Sequence, residues 1–88
     1  MILIYKLSQH AKKEMERRGI PLPMVDAVLE HPQQIITEYQ EMKAYQSQID
    51  FGEGKFYLLR AIVNDQVSPP MVITVYRTSK ILKYWRAT

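Results

Sequence analysis

The chain has 88 residues and no cysteine, and its 12 Lys and Arg residues against 9 Asp and Glu residues give a formal net charge of +3. This length fits one domain, so residues 1–88 are expected to fold as a single unit. The lack of cysteine excludes disulfide frameworks, thiolate zinc sites and cysteine nucleophiles. No apolar run spans a membrane and no signal-peptide pattern opens the chain, so a cytoplasmic protein is expected.

Two helices are expected in the first third of the chain. A short apolar stretch, 2–7, precedes them and fits either an edge strand or a lead-in. Ser8 is a good N-cap for the first helix because its hydroxyl can accept from an orphan backbone N–H, and Gly19 supplies a left-handed stop. The second helix is expected over 22–30, because a proline-containing turn suits its start and Pro32 ends it.

After the helices the pattern changes to alternation with β-branched and aromatic residues, which is typical of strands. Four strands are expected, over 35–39, 44–51, 56–63 and 71–78. Short turns near 40–41 and 52–54 and a loop over 64–70 join them, so neighbouring strands run antiparallel. The tail from residue 79 is a helical turn or an extension. The predicted fold is therefore α+β, with two N-terminal helices packed on a four-stranded antiparallel sheet.

Strand alternation predicts a polar cluster around Arg60. A buried face disfavours arginine, so the helices are expected to cover the other face, which carries Leu59, Ala61, Val63, Ile73 and Val75. Arg60 then shares the second face with Thr74, Tyr76 and Thr78, and the loop register sets Arg60 opposite Tyr76 or nearly so. This is the best phosphate-sized cluster in the chain. Its arginine needs a partner, and Asp50 or the C-terminus is the expected one.

The charges are also sorted along the chain. Residues 1–18 carry a net charge of +3, residues 19–70 carry −4, and residues 71–88 carry +4. If the fold brings the two ends together, a basic surface of about +7 attracts phosphates or an acidic partner. Two ordinary solvated faces explain the same sorting equally well.

No glycine-rich phosphate loop and no Ser-His-Asp arrangement can be assembled from this sequence. The remaining candidate functional residues are mostly basic: His10, Lys13, Arg17, Arg18, Arg60, Tyr76, Arg77 and Lys80. Such a set suits metal-independent RNA cleavage, in which the 2′-hydroxyl attacks the neighbouring phosphate and cations stabilise the phosphorane without a cofactor. A histidine near a helix start is usually solvated, and arginines near a helix C-terminus interact favourably with its dipole, so simpler explanations stand beside this one.

Four segments, HAKKEMERRGI at 10–20, VLEHP at 28–32, YLLRAIV at 57–63 and VITVYRTSK at 72–80, together resemble one family. They are similar to small bacterial domains of unknown function grouped with RelE/ParE-like toxins, within the barnase–colicin–RelE nuclease fold. The resemblance extends over about 7–83. It implies two N-terminal helices on a curved antiparallel sheet and a metal-independent endoribonuclease, often encoded beside a small antitoxin.

The resemblance also places the family's motif residues on His10, Arg18, Arg60, Thr74 and Tyr76, and the leading hypothesis assigns roles to them. His10 would be the general base or acid, Arg18 and Arg60 would stabilise the phosphorane, and Tyr76 would position the phosphate. The expected RNA-binding residues are Lys13, Arg17, Thr74, Arg77, Thr78 and Lys80. The chain departs from the family in having Glu14 where an arginine is common. A carboxylate at that position either orients His10 or marks weakened catalysis.

The expected substrate is RNA, including ribosome-bound mRNA, and the expected partner is a small antitoxin protein. A basic face attracts an acidic or amphipathic segment, and an edge strand at 35–39 favours addition of a further strand. Two alternatives remain. A ParE-like relative would bind a protein target through the tail at 80–86 without cutting RNA, and a basic accessory protein would bind nucleic acid in a salt-sensitive way.

Overall fold

The computed structural model describes residues 2–87, which combine helices with one mixed sheet. In chain order the elements are β1 (Lys6–Leu7), α1 (Gln9–Arg18), α2 (Leu22–Glu30), β2 (Gln34–Thr37), β3 (Lys43–Asp50), β4 (Phe56–Asn64), β5 (Met71–Thr78) and α3 (Ile81–Tyr84). The predicted α+β class is therefore confirmed. Within this part of the chain, no helix has both the length and the apolar character needed to cross a membrane.

Both predicted ends of α1 are present. The Ser8 hydroxyl accepts from the backbone N–H of Ala11 at 2.9 Å and itself donates to the carbonyl of Ile73 at 2.7 Å. Gly19 has φ 63°, and its N–H is directed to the carbonyls of Met15 and Glu16. Ser8 thus caps the helix and ties its first turn to β5 with the same hydroxyl.

The sheet contains one strand more than the sequence pattern predicts. Its order is β1-β5-β4-β3-β2, and β1 runs parallel to β5 while the other neighbours are antiparallel. The expectation of a four-stranded antiparallel sheet is corrected to a five-stranded mixed sheet. β1 has only two paired residues, Lys6 with Met71 and Leu7 with Val72. Two residues are too few to show a strand periodicity.

The helices α1 and α2 cover one face of the sheet, as expected. The buried core there comprises Ala11, Met15, Ile20, Val25, Val28, Leu29, Tyr45, Leu59, Ala61, Val63, Val72 and Val75. The core contains Val72 in place of the predicted Ile73. The register shifts between Ile62 and Val63, so that Ile62 pairs with Thr74 while Val63 pairs with Val72. Ile73 is the extra residue of a β-bulge, and simple alternation counted back from Val75 fails beyond it.

Two turns shape the far ends of the strands. The predicted turn at 52–54 is present, with φ of 121°, 59° and 72° along it, and glycine at its first and last positions accepts such angles without Cβ strain. The turn predicted near 40–41 is a 3₁₀ turn over Tyr39–Glu41. The backbone N–H of Glu38 donates to the Met42 carbonyl at 2.6 Å and closes the base of that turn. Glu38 is thereby held at the end of β2, next to the middle strands.

Candidate functional site

Arg60 lies in the middle of β4 and is only 3% exposed. It is paired with Gln46 on β3 and with Tyr76 on β5, so the predicted position opposite Tyr76 is confirmed. Its Nε donates to Gln46 Oε1 at 2.8 Å, its Nη1 donates to the Tyr76 hydroxyl at 2.6 Å, and its Nη2 donates to the Glu38 carboxylate. Directly opposed residues of antiparallel strands share a face, which is why the side chains meet.

The ring of Tyr84, on α3, covers this guanidinium. Arg60 Cζ lies 4.4 Å from the centroid of the Tyr84 ring and 5.7 Å from that of Tyr76. The two rings meet edge to face, with centroids 6.2 Å apart. A desolvated guanidinium over an aromatic ring gains a cation–π attraction in addition to its hydrogen bonds. α3 therefore separates Arg60 from solvent.

The C-terminal segment, defined as 81–87, is attached to the sheet by a few hydrogen bonds. Gln46 Nε2 donates to the carbonyl of Tyr84 at 3.2 Å. Gln34 Nε2 donates to the Arg86 carbonyl at 2.6 Å, and the Arg86 N–H donates back to Gln34 Oε1 at 3.2 Å. Leu82 in the same segment is 89% exposed. The segment that covers Arg60 is therefore held by three described hydrogen bonds and buries little of Leu82.

The cluster keeps unused hydrogen-bond donors. A guanidinium has five N–H groups, and the Arg60 hydrogen bonds described above use three of them. The Tyr76 hydroxyl accepts from Arg60, and within residues 2–87 its own proton has no acceptor. Burial raises the pKa of Tyr76 above its usual 10, although the neighbouring Arg60 opposes that rise. The phenol is therefore protonated at neutral pH and can donate to an anion.

A second charged group lies on α1. The Glu14 carboxylate accepts from Arg17 at 2.9 and 3.0 Å and from Arg18 at 2.9 Å, because residues three and four positions apart are neighbours on a helix. These hydrogen bonds lower the pKa of Glu14 to about 2. Glu14 therefore binds the two arginines in place of His10, which is exposed and whose side chain makes no hydrogen bond in the described region.

The four predicted catalytic residues form two separate groups. Arg60 and Tyr76 are in direct contact on the face of the sheet that α3 covers. His10 and Arg18 lie on α1, which packs on the opposite face of β4. The structure does not bring these pairs together, so His10 is not placed to exchange a proton with a group bound at Arg60.

The remaining predicted RNA-binding residues are also divided. Thr74 and Thr78 flank Tyr76 on β5 and share its face. Lys80 is exposed just beyond them, and its N–H donates to Thr78 Oγ1 at 3.0 Å. Lys13 is exposed on α1. Of these four residues, only the threonines lie on the sheet face that carries Arg60.

Arg77 points to the helix-bearing face, in register with Leu59. Its Cζ lies 4.4 Å from the ring centroid of Phe51 and 5.0 Å from that of Tyr57. The two rings meet edge to face at 5.6 Å. Arg77 thus forms a separate cation–aromatic cluster, away from Arg60.

The expected partner of Arg60 is different in the structure. Asp50 accepts from the backbone N–H of Gly52 at 2.7 Å, inside the β3–β4 turn. Glu38 supplies the carboxylate to Arg60 instead. The other expected partner, the carboxylate of the C-terminus, lies outside the described residues.

Sequence reasoning missed Glu38, Gln46 and Tyr84 as members of this cluster. Gln46 could have been found, because a turn centred on residue 53 places it opposite residue 60. Glu38 and Tyr84 belong to irregular segments whose positions no periodicity predicts.

A surface hollow of about 600 Å³ lies beside α1. Its lining comprises Leu7, Lys12, Met15, Glu16, Gly19, Ile20 and Pro21. Neither there nor elsewhere within 2–87 do three His, Cys, Asp or Glu side chains converge as metal ligands would.

The amino-acid sequence matches the profile of one protein family, Domain of unknown function (DUF4258), over residues 7–77. No significant match is found among curated proteins or among solved structures. The matched segment runs from β1 to β5, so it includes Arg60 and Tyr76 and stops short of α3. The expected membership in a family of domains of unknown function is confirmed. This chain belongs to the DUF4258 family.

Proposed function

We propose that this chain is a toxin-type, metal-independent endoribonuclease of RelE-like fold. Its phosphate site is formed by Glu38, Arg60 and Tyr76, which together with Gln46 and Tyr84 make up the Arg60 cluster. One observation carries the proposal: a buried guanidinium donates to a neutral phenol on one side and to a carboxylate on the other. Guanidinium groups bind phosphates through paired N–H donors and stabilise the charge that develops on a phosphorane. Two N-terminal helices on a mostly antiparallel sheet also fit the proposed fold.

Glu38 and Tyr76 each have a defined role in this reaction. The 2′-hydroxyl oxygen of RNA attacks the adjacent phosphorus while the Glu38 carboxylate takes its proton. The bond from phosphorus to the 5′ oxygen breaks, and that oxygen takes the proton of the Tyr76 hydroxyl. The products are a 2′,3′-cyclic phosphate and a 5′-hydroxyl end. Glu38 replaces His10 as the base because His10 lies on the other face of the sheet.

The C-terminal segment has to move before RNA reaches Arg60. Tyr84 covers the guanidinium, and hydrogen bonds from Gln34 and Gln46 hold the segment in place. Each such hydrogen bond contributes about 0.5–1.5 kcal/mol. In this proposal, the contacts of an RNA phosphate with Arg60 and Tyr76 offset the loss of these hydrogen bonds.

The proposed protein partner is a small antitoxin. β2 is an edge strand, so its outer backbone groups are open to pairing with an added strand. Ile35 on this strand and Tyr39 just beyond it are exposed. An extended segment with apolar and acidic side chains fits this edge, because main-chain hydrogen bonds supply affinity and side-chain pockets supply specificity.

The test is inducible expression in a bacterium, with growth and new RNA 5′-hydroxyl ends followed together. Glu38→Gln and Tyr76→Phe are near-isosteric variants, and both should abolish the new ends while the purified proteins remain folded. His10→Ala is the matched control and should keep full activity. Loss of cleavage in His10→Ala with retention in Glu38→Gln would move the site to α1. An absence of new ends even in Tyr84→Ala, which uncovers Arg60, would refute the nuclease proposal.

A non-catalytic binding module is the second candidate function. The observation that favours it is that each of the three nitrogens of the buried Arg60 guanidinium already donates to a protein acceptor. In that case the cluster is structural, and the exposed C-terminal segment with Leu82 contacts a protein or a nucleic acid. Growth arrest without new RNA ends, relieved by removal of residues 81–88, is the expected result.

A further inference from the structure

The cation–aromatic cluster around Arg77 occupies an open part of the sheet. A hollow of about 310 Å³ lies there, and its lining comprises Phe51, Gly52, Glu53, Lys55, Tyr57 and Arg77. No helix residue lines this hollow, although Phe51 also packs against the core. The hollow is therefore accessible to a ligand in the described conformation, unlike Arg60.

Arg77 is held in position without being neutralised. Its guanidinium stacks on the rings of Phe51 and Tyr57, and Lys55 Nζ lies 5.3 Å from the Tyr57 centroid. Within residues 2–87, no carboxylate lies within 4.0 Å of Arg77, and its side chain makes no hydrogen bond. In contrast, Glu14 engages both arginines of α1. Arg77 thus presents a full set of N–H donors from a fixed plane.

The surroundings of Arg77 match the two chemical parts of a nucleotide. A planar guanidinium recognises a phosphate by paired hydrogen bonds, and Lys55 adds a second positive charge. Aromatic rings stack on unpaired bases of any sequence, and Phe51 and Tyr57 are half-buried where they line this hollow. Glu53, the one carboxylate of the hollow's lining, leaves two cations against one anion.

We infer that the hollow formed by Phe51, Tyr57, Lys55 and Arg77 is a binding subsite for one nucleotide of single-stranded RNA. The phosphate binds Arg77 and Lys55, and the base stacks on the aromatic rings. The choice of RNA rests on the proposed function, whereas the requirement for a single strand follows from the stacking, since a paired base keeps its faces inside the helix. The subsite lies on the opposite face of the sheet from Arg60, so it recognises a nucleotide away from the scissile phosphate.

The test measures binding separately from cleavage. The probe is a fluorescein-labelled strand of about ten 2′-O-methyl nucleotides, which cannot be cleaved by 2′-hydroxyl attack, and anisotropy is followed at several salt concentrations. Arg77→Gln should lower the affinity about tenfold and reduce the salt slope by about 0.7, the value for one phosphate contact on a single strand. Lys12→Gln, the same loss of charge at an exposed site on α1, should lower affinity no more than about twofold.

A second pair of measurements isolates the stacking. Phe51→Leu should lower the affinity for the strand that carries bases about tenfold. The affinity for an abasic strand of the same length should stay unchanged. Arg77→Lys should have the wild-type salt slope, which Arg77→Gln lacks, because the positive charge is kept. Its affinity should stay below that of the wild type, because lysine lacks the planar, two-donor geometry of a guanidinium. Urea unfolding of each variant confirms that the fold is intact.

Several outcomes would overturn the subsite. They are an equal effect of Arg77→Gln and Lys12→Gln, an equal effect of Phe51→Leu on both strands, or tighter Arg77-dependent binding of an acidic peptide than of RNA. A different outcome would refute the endoribonuclease proposal alone. In that outcome, RNA still binds in an Arg77-dependent way but unmodified RNA is not cleaved.

Discussion

The guanidinium of Arg60 and the phenol of Tyr76 face each other across β4 and β5, and Nη1 donates to the hydroxyl oxygen at 2.6 Å. This contact lies on the face of the sheet opposite α1 and α2, under the short helix α3. A buried charge is tolerated only when its hydrogen-bonding groups are paired, so Arg60 constrains every segment that supplies a partner to it. The 3₁₀ turn beside Glu38 and the C-terminal segment with Tyr84 are placed by that requirement as much as by apolar packing.

Replacing Arg60 by lysine tests this structural role. Arg60→Lys keeps the positive charge and removes the planar fork, which leaves Gln46 and Tyr76 without their donor. The free energy of unfolding in urea should fall by about 3 kcal/mol. Arg77→Lys, where no protein acceptor is lost and only the stacking on Phe51 and Tyr57 weakens, should change it by about 1 kcal/mol or less. Similar values for the two variants would contradict a structural role for the Arg60 cluster.

Most of the fold could be predicted from local patterns. The Ser8 cap and the Gly19 stop bound α1, and the alternation around Arg60, read with the loop register, placed Tyr76 opposite it. The β-bulge at Ile73 could not be predicted, because one inserted residue leaves no signal in a short alternating strand.

The candidate site was predictable only in part. Its members on regular strands follow from register, whereas Glu38 and Tyr84 lie in a turn and a four-residue helix whose placement depends on tertiary contacts. His10 and Arg60 belong to one mostly basic set of candidate residues in the sequence, but no periodicity relates a residue on a helix to one on the far face of a sheet.

The attachment of the C-terminal segment gives a fluorescence prediction. Gln34→Ala removes both hydrogen bonds to the backbone of Arg86, so the segment should detach more often. Trp85 is the sole tryptophan of the chain and lies in this segment. Its emission should shift to longer wavelength and become more sensitive to acrylamide, with the sheet still folded by circular dichroism. Gln48→Ala, a glutamine on β3 whose side chain makes no hydrogen bond in the described region, serves as the control; an unchanged spectrum in Gln34→Ala would show that these bonds do not hold the segment.

The end of α1 gives a prediction about backbone strain. Gly19 has φ 63°, and a Cβ built there meets no atom within 4 Å, so any cost of substitution comes from the backbone alone. Gly19→Ala should destabilise the protein by about 1 kcal/mol, while Gly19→Asn should cost less because asparagine tolerates this region better. Thermal unfolding of the two variants measures the difference. A larger loss with asparagine than with alanine would contradict the explanation.

The Glu14 cluster gives a prediction about pH. The pKa of Glu14 is lowered from 4.5 to about 2, so the ionised carboxylate is favoured in the folded protein. Its contribution to stability is therefore fully present above about pH 4.5 and is lost as the pH falls through about 2. An NMR titration of the Glu14 carboxyl carbon should show a midpoint near 2 in the wild type.

The same titration has a direct control. In the double variant Arg17→Gln, Arg18→Gln the midpoint should move towards 4.5, and high salt should move the wild-type value in the same direction because exposed charges are screened. A wild-type midpoint near 4.5 would show that the ion pairs with Arg17 and Arg18 are not populated in solution.

The pairing of β1 with β5 has a consequence for the order of folding events. The Ser8 hydroxyl and the Ile73 carbonyl that it contacts are separated by 65 positions, and α1 begins directly after this junction. The helix carries its own start and stop signals, but ten residues are too few for a stable isolated helix in water. α1 therefore gains lasting structure only when β5 is in place, and a nascent chain that ends before residue 71 holds its first helix as a fluctuating turn.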